Sequence, residues 1–251
     1  MIAAILKEIS PGENRVAATP KTVKELIKSG LTVRVQSGAG VASFFADQDY
    51  TDAGAEVISD ISTLTNDVDI ILKVAPATPE EMDAFPQGSA YVSLMQTTRD
   101  IPQVRKLTDK NMTGFSMHLI PRTTLAQSMD ALSSQANISG YKSVLIGASH
   151  LPVYMPLLMT AAGTIPPAKV LILGAGVAGL QAIATAKRLG AQVEAFDVRP
   201  EVKEQVESLG AKFVEVESDS DDGVGEGGYA KETSDDYKQR QQALITEKIS
   251  K

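Results

Sequence analysis

The sequence has no cysteine, no tryptophan and only two histidines, His118 and His150. The first absence removes disulfides, thiolate nucleophiles and cysteine-ligated metal. The shortage of histidine argues against a multi-histidine metal site, and both histidines read as structural. No basic stripe with interleaved aromatics is present, and the net charge is −7, which argues against a nucleic-acid surface. Long hydrophobic runs are missing too. The apolar start, Met1-Ile-Ala-Ala-Ile-Leu6, is too short for a secretion signal and reads as a first β-strand. The most apolar later stretch, Leu151 to Ala162, is interrupted by Pro152 and Pro156. It is too short and broken to span a bilayer and is expected to form a buried helical segment. A membrane role would have to come through a partner.

What is present is 251 residues of ordinary globular composition, enough for two domains. Strand-like and helix-like stretches alternate through the first half. Strands are expected at Ile2–Leu6, Leu31–Gln36, Glu56–Ile58, Val68–Val74, Ala90–Leu94 and Thr113–Met117. Helices are expected at Pro20–Ser29, capped by Thr19 and stopped by Gly30, at Asp47–Ala53 and at Pro102–Asp109. Such alternation predicts a mainly parallel sheet covered on both faces. From Gln127 to about Ser149, apolar residues recur every three or four positions, which reads as one long connecting helix. The fold class is therefore α/β: two Rossmann-like domains with mainly parallel sheets, joined by a long helix. The expected boundaries are 1–125, 126–164 for the connecting helices, and 165–251.

The most informative segment is Lys169-Val-Leu-Ile-Leu-Gly174-Ala-Gly176-Val-Ala-Gly179. An apolar strand runs into G-x-G-x-x-G. A helical stretch to Leu189, Gly190 and a second strand ending at Asp197 follow in the required order. Gly174 permits the tight turn, Gly176 lets a pyrophosphate approach the backbone, and Gly179 lets helix and strand pack closely. The phosphates would lie at the helix N-terminus, where free N–H groups and the helix dipole favour an anion. Asp197 suits the ribose hydroxyls of NAD and repels the 2′-phosphate of NADP; Arg199, two positions on, is of a type that can accept that phosphate. NAD is the preferred reading. The helix Pro200–Leu209 and a third strand, Ala211–Val216, come next. An acidic, glycine-rich stretch over 217–232 then leads into a polar helix, Asp235–Ile249. Three strands make only the first half of a six-stranded dinucleotide fold. The second domain is expected to be incomplete, its remainder lying on another chain or lost by truncation.

Several segments carry a family resemblance. They are Lys7–Ala17, Arg122–Asn137, Met159–Pro167, Gly174–Ala182, Lys203–Gly210 and Gly227–Glu232. Through them the chain resembles the NAD(H)-binding component of proton-translocating NAD(P) transhydrogenase, which shares a superfamily with alanine dehydrogenase. The resemblance extends over essentially the whole sequence. It implies that Arg122, Gln127, Asp130 and Ser133 surround the dihydronicotinamide as the catalytic set; taken alone, Asp130 and Ser133 read as the polar cap of a helix. It implies cofactor contacts at Gly174, Gly176, Val177, Ala178 and Gly179, at Asp197, Val198 and Arg199, and at Gly228, Tyr229 and Ala230. Tyr229 would belong to a lid hinged on glycines.

The activity implied is direct hydride transfer between NADH here and NADP+ on a partner component, coupled to proton movement by a membrane-spanning component. Ring-to-ring transfer needs no general acid or base, only contact geometry and exclusion of water. The resemblance also implies a homodimer and a cytoplasmic place, peripheral to the inner membrane through those partners. An amino-acid dehydrogenase of the alanine dehydrogenase type is the alternative. Arg15 and Lys73 match its 2-oxo-acid ligands, but transhydrogenases share both. The superfamily's catalytic histidine is expected near the end of the strand Ala90–Leu94, and Ser93-Leu-Met-Gln-Thr-Thr98 contains none. A catalytically silent NAD-binding fragment is a third reading.

Overall fold

Short apolar strands alternate with helices because each strand must bury both of its faces in a parallel sheet. A computed structural model of the protein describes residues 1–216 and 235–249. It falls into two units, Met1–Met129 and Asp130–Lys251.

In the first unit, β1 (Ile2–Ile5), β2 (Thr32–Gln36), β3 (Glu56–Ile58), β4 (Ile70–Leu72), β5 (Ala90–Ser93) and β6 (Thr113–Ser116) form one sheet. The order is β3-β2-β1-β4-β5-β6, and every adjacent pair is parallel. That is the 3-2-1-4-5-6 order of a complete doubly wound fold, with its switch point between β1 and β4. Successive residues after the start of β1 point to opposite faces. Ala4 and Leu6 join a core with Ile71, Met82 and Tyr91, while Ile5 joins another with Val23, Val35 and Tyr50. The covering helices are α1 (Pro20–Lys28), α2 (Asp47–Asp52), α3 (Ile61–Thr65) and α4 (Ile101–Asp109). Thr19 caps α1 as expected, its Oγ1 accepting from Thr22 N at 3.3 Å. The helix α3 is one that sequence periodicity does not reveal. At five residues it is too short to show a period, and its signal is the Asp60 cap, which accepts from Thr63 N at 2.8 Å.

In the second unit, α5 (Ala131–His150) precedes an antiparallel hairpin of β7 (Leu158–Thr160) and β8 (Gly163–Ile165). Then come β9 (Lys169–Leu173), α6 (Val177–Arg188), β10 (Gln192–Phe196), α7 (Lys203–Ser208), β11 (Lys212–Val214) and α8 (Asp235–Ile249). The sheet is β11-β10-β9, all parallel, the 3-2-1 half of the doubly wound order among the described residues. One core serves α5, α6, α7 and this sheet through Val144, Ile183, Ala186, Val193, Ala195, Val206 and Phe213. Burying a side chain such as Ile183 stabilises the unit by about 1.5–3 kcal/mol.

Two expectations need correction. The long helix begins at Ala131, not Gln127. Residues Thr124–Met129 form a 3₁₀ turn, and Asp130 caps the α-helix. The segment after Leu151 is neither helical nor buried. Pro152, Pro156 and the Pro166-Pro167 pair deny the donors a helix needs, and the chain forms the β7–β8 hairpin instead. Met159 is 72% exposed there.

Candidate functional site

The glycine turn between β9 and α6 is built as the motif requires. Gly174 lies at φ +93°, where a Cβ is strained, and its N–H donates to Phe196 O at 2.8 Å, tying the turn to the end of β10. A Cβ on Gly179 would fall deep inside contact distance of the Gly174 carbonyl oxygen. A Cβ on Gly176 would meet no protein atom within 4 Å. Gly174 and Gly179 are therefore set by backbone and packing, while the space beside Gly176 is open. Helix α6 carries neither a side-chain N-cap nor an acidic residue in its first turn. Its N-terminal N–H groups at Val177 and Ala178 suit a phosphate. These observations fit a dinucleotide.

Asp197 follows β10 and closes on the same turn. Its Oδ2 accepts from Ala175 N at 2.7 Å and from the Arg199 terminal nitrogen at 2.9 Å. Its Oδ1 accepts from Arg199 N and from Arg199 Nε, both at 2.9 Å. Burial works against ionisation of Asp197, but the Arg199 side chain and the two backbone N–H groups outweigh it. They hold the carboxyl below the usual aspartate value. The stability this adds is present above the unfolded pKa, near ~4, and is lost as pH falls through the lowered one. Val198 lies between the paired residues in the chain.

A brace for the turn lies beyond what sequence reading reveals. Gly140, in the middle of α5, lies so close to α6 that a Cβ would collide with the Ala178 carbonyl. Asn137 Nδ2 donates to Gln181 Oε1 at 3.0 Å across the same pair of helices. The available signal is a glycine inside a helical pattern, which costs about 1 kcal/mol relative to alanine and so implies a packing reason.

The expected nicotinamide set is placed in two groups. Arg122 and Gln127 are exposed in the last segment of the first unit, Gln127 within the 3₁₀ turn. Asp130 and Ser133 stand together at the start of α5: Ser133 N donates to Asp130 Oδ1 at 2.9 Å and Ser133 Oγ to Asp130 Oδ2 at 2.6 Å. That is a helix cap, the reading these two residues allow without a family. Gly228, Tyr229 and Ala230 lie outside the described residues.

The first unit holds a second polar cluster at its own switch point. Lys73 follows β4 with its side chain fully buried, its Nζ 2.5 Å from Glu81 Oε1 and 3.9 Å from Glu8 Oε2. Glu8 also accepts from Val74 N at 2.6 Å and Ala75 N at 3.2 Å. Arg15 is held bidentately by Glu13, at 2.7 and 2.6 Å.

Sheet order and glycine turn define an α/β protein of the Rossmann type. The chain belongs to the alanine dehydrogenase/PNT family: residues 4–139 match its N-terminal domain and residues 143–251 its C-terminal domain. It is 44% identical to an NAD(P) transhydrogenase subunit alpha polypeptide of Rhodospirillum rubrum over all of this chain and 67% of that protein. A solved structure, that of transhydrogenase from Sinorhizobium meliloti, superimposes with a TM-score of 0.85 at 43% identity, again covering 100% of this chain and 67% of the other. An L-alanine dehydrogenase structure gives 0.76 at 28% identity, covering 85% of this chain and 60% of that one. No helix among the described residues is long and apolar enough to cross a membrane.

Proposed function

We propose that this chain is the NAD(H)-binding component of a proton-translocating NAD(P) transhydrogenase. It takes part in direct hydride transfer between NADH bound here and NADP+ bound on a partner component. A membrane-spanning component couples that transfer to proton movement, and the chain works as a homodimer on the cytoplasmic side of the inner membrane. The observation that supports the nucleotide assignment is the closure of Asp197 on the Gly174–Gly179 turn through Ala175 N, the arrangement expected where one end of the motif takes ribose and the other pyrophosphate. Similarity to transhydrogenase over the whole chain supports the reaction.

The dinucleotide, when bound, supplies the hydride. The chain's own residues bind and orient it. Backbone N–H groups of Val177 and Ala178 face the pyrophosphate, and Asp197 takes the adenosine ribose. Arg122, Gln127, Asp130 and Ser133 hold the carboxamide and its ribose, for which their donors and acceptors are suited. Tyr229, between Gly228 and Ala230, covers the nucleotide and keeps water out. No residue moves a proton in this scheme, in keeping with the absence of a histidine from Ser93–Thr98.

The test mixes the chain with an NADP-binding component and follows reduction of an NADP analogue by NADH. Transfer supports the assignment. Transfer to pyruvate with ammonia instead would make it an amino-acid dehydrogenase, and NADH binding with neither reaction would leave a nucleotide-binding fragment. Asp197→Ala is expected to weaken NADH binding about tenfold or more and to reduce discrimination against NADPH, as read by fluorescence titration. Unchanged discrimination would remove Asp197 from the ribose site. Tyr229→Ala should speed NADH release in stopped-flow displacement with little change in the unfolding midpoint.

A further inference from the structure

The Asp197 carboxylate has about four in-plane acceptor positions, and protein donors fill four. Two of those donors are backbone N–H groups, Ala175 N and Arg199 N, fixed by the turn and by the strand end. The other two are the Nε and one terminal nitrogen of Arg199, one on each carboxylate oxygen, both at 2.9 Å. A vicinal diol presents the same pattern: two donors, one for each oxygen. The pair is no loose surface contact, since the side chains of Asp197 and Arg199 are 6% and 17% exposed.

We propose that the Arg199 guanidinium is an internal surrogate for the ribose diol and that it sets nucleotide preference by exchange. This rests on the nucleotide reading above. NADH binds by supplying two hydroxyl donors to Asp197 in place of the guanidinium fork, while Ala175 N and Arg199 N stay where they are. A 2′-phosphate ester brings no hydroxyl donor at that position, so NADPH cannot complete the exchange. It meets an Asp–Arg pair whose charges cancel, which weakens the repulsion that Asp197 alone would exert. Arg199 therefore does two things. It lowers NADH affinity by competing for Asp197, and it softens rejection of NADPH by neutralising it.

Equilibrium binding of NADH and NADPH to the unaltered chain, Arg199→Ala and Arg199→Lys tests this. Arg199→Ala is expected to bind NADH about tenfold more tightly, the scale of one charge-assisted hydrogen bond no longer displaced, and to bind NADPH no better. The NADH preference therefore rises. Arg199→Lys, which keeps the charge but loses the two-pronged geometry, should fall between the two in NADH affinity. It also serves as the reporter if the alanine variant fails to fold. Dihydronicotinamide mononucleotide, which has no adenosine ribose, should bind all three alike. Unchanged or weaker NADH binding in Arg199→Ala overturns the proposal, because the guanidinium would then be holding nucleotide rather than competing with it. So does a lysine variant that binds NADH no better than the unaltered chain. If the unaltered chain binds no NADH, the nucleotide reading itself fails and the exchange falls with it.

Discussion

Replacing Gly179 by alanine is expected to cost about 3 kcal/mol of stability and to abolish NADH binding. The added methyl would overlap the Gly174 carbonyl oxygen, with Ile172 Cγ2 behind it at 3.6 Å. The overlapped atom is backbone, so no side chain can swing aside. The turn itself must move, yet Gly174 is held at positive φ and bonded to Phe196 O. Any shift of the turn also disturbs Ala175 N, and with it the Asp197 carboxylate. Gly176→Ala separates packing from binding. Its Cβ would touch no protein atom and its φ is −77°, so stability should stay within ~0.5 kcal/mol of the original. NADH affinity should nevertheless drop steeply, because on the proposed binding mode the methyl would block the approach of the pyrophosphate. Urea unfolding and NADH fluorescence titration on both variants check this. A Gly176→Ala protein as unstable as Gly179→Ala would show that the open space beside Gly176 is not there.

The contrast between these glycines marks what sequence alone can reveal. Spacing identifies the strand–turn–helix and puts Asp197 at the end of the second strand, because those positions follow from geometry that any nucleotide turn must satisfy. Spacing cannot show that Arg199 fills the remaining acceptors of Asp197. That depends on a rotamer, and from the chain alone Arg199 reads as a feature weakening the NAD assignment. Gly140 signals a packing reason but hides its partner, Ala178, which lies 38 positions further along the chain (178 − 140 = 38).

The six strands of the first sheet are legible as apolar runs, but their order is not. The switch point between β1 and β4 appears only when the strands pair, and it brings together residues as distant as Glu8 and Lys73. The hairpin at Leu158–Ile165 defeats the sequence reading because apolar composition over a dozen residues does not distinguish a buried helix from an exposed ribbon. Prolines at 152, 156, 166 and 167 are the better guide.

At that switch point, Lys73→Met is expected to destabilise the protein by about 3–5 kcal/mol, the usual result of leaving a buried charge without its partner. Two carboxylates converge on one buried ammonium. Glu81 approaches at 2.5 Å and spends its other oxygen on Thr78 N at 2.8 Å. Glu8 holds the chain that leaves β4 through Val74 N and Ala75 N. Burial already raises the Glu8 pKa above its ordinary value, while the backbone bonds and Lys73 pull the other way. Removing Lys73 deletes one of those restraints, so Glu8 rises further. A carboxyl whose folded pKa lies above its unfolded one gives stability that is complete below the unfolded value, near ~4.3, and is lost as pH rises through the folded value. The Lys73→Met deficit should therefore be smaller at about pH 5 than at about pH 8 in urea unfolding. Adding Glu81→Gln should recover part of the neutral-pH loss, because one buried carboxylate is then gone. A deficit that does not vary with pH, or a double variant no more stable than the single one, would show that Lys73 acts by filling space rather than by balancing charge.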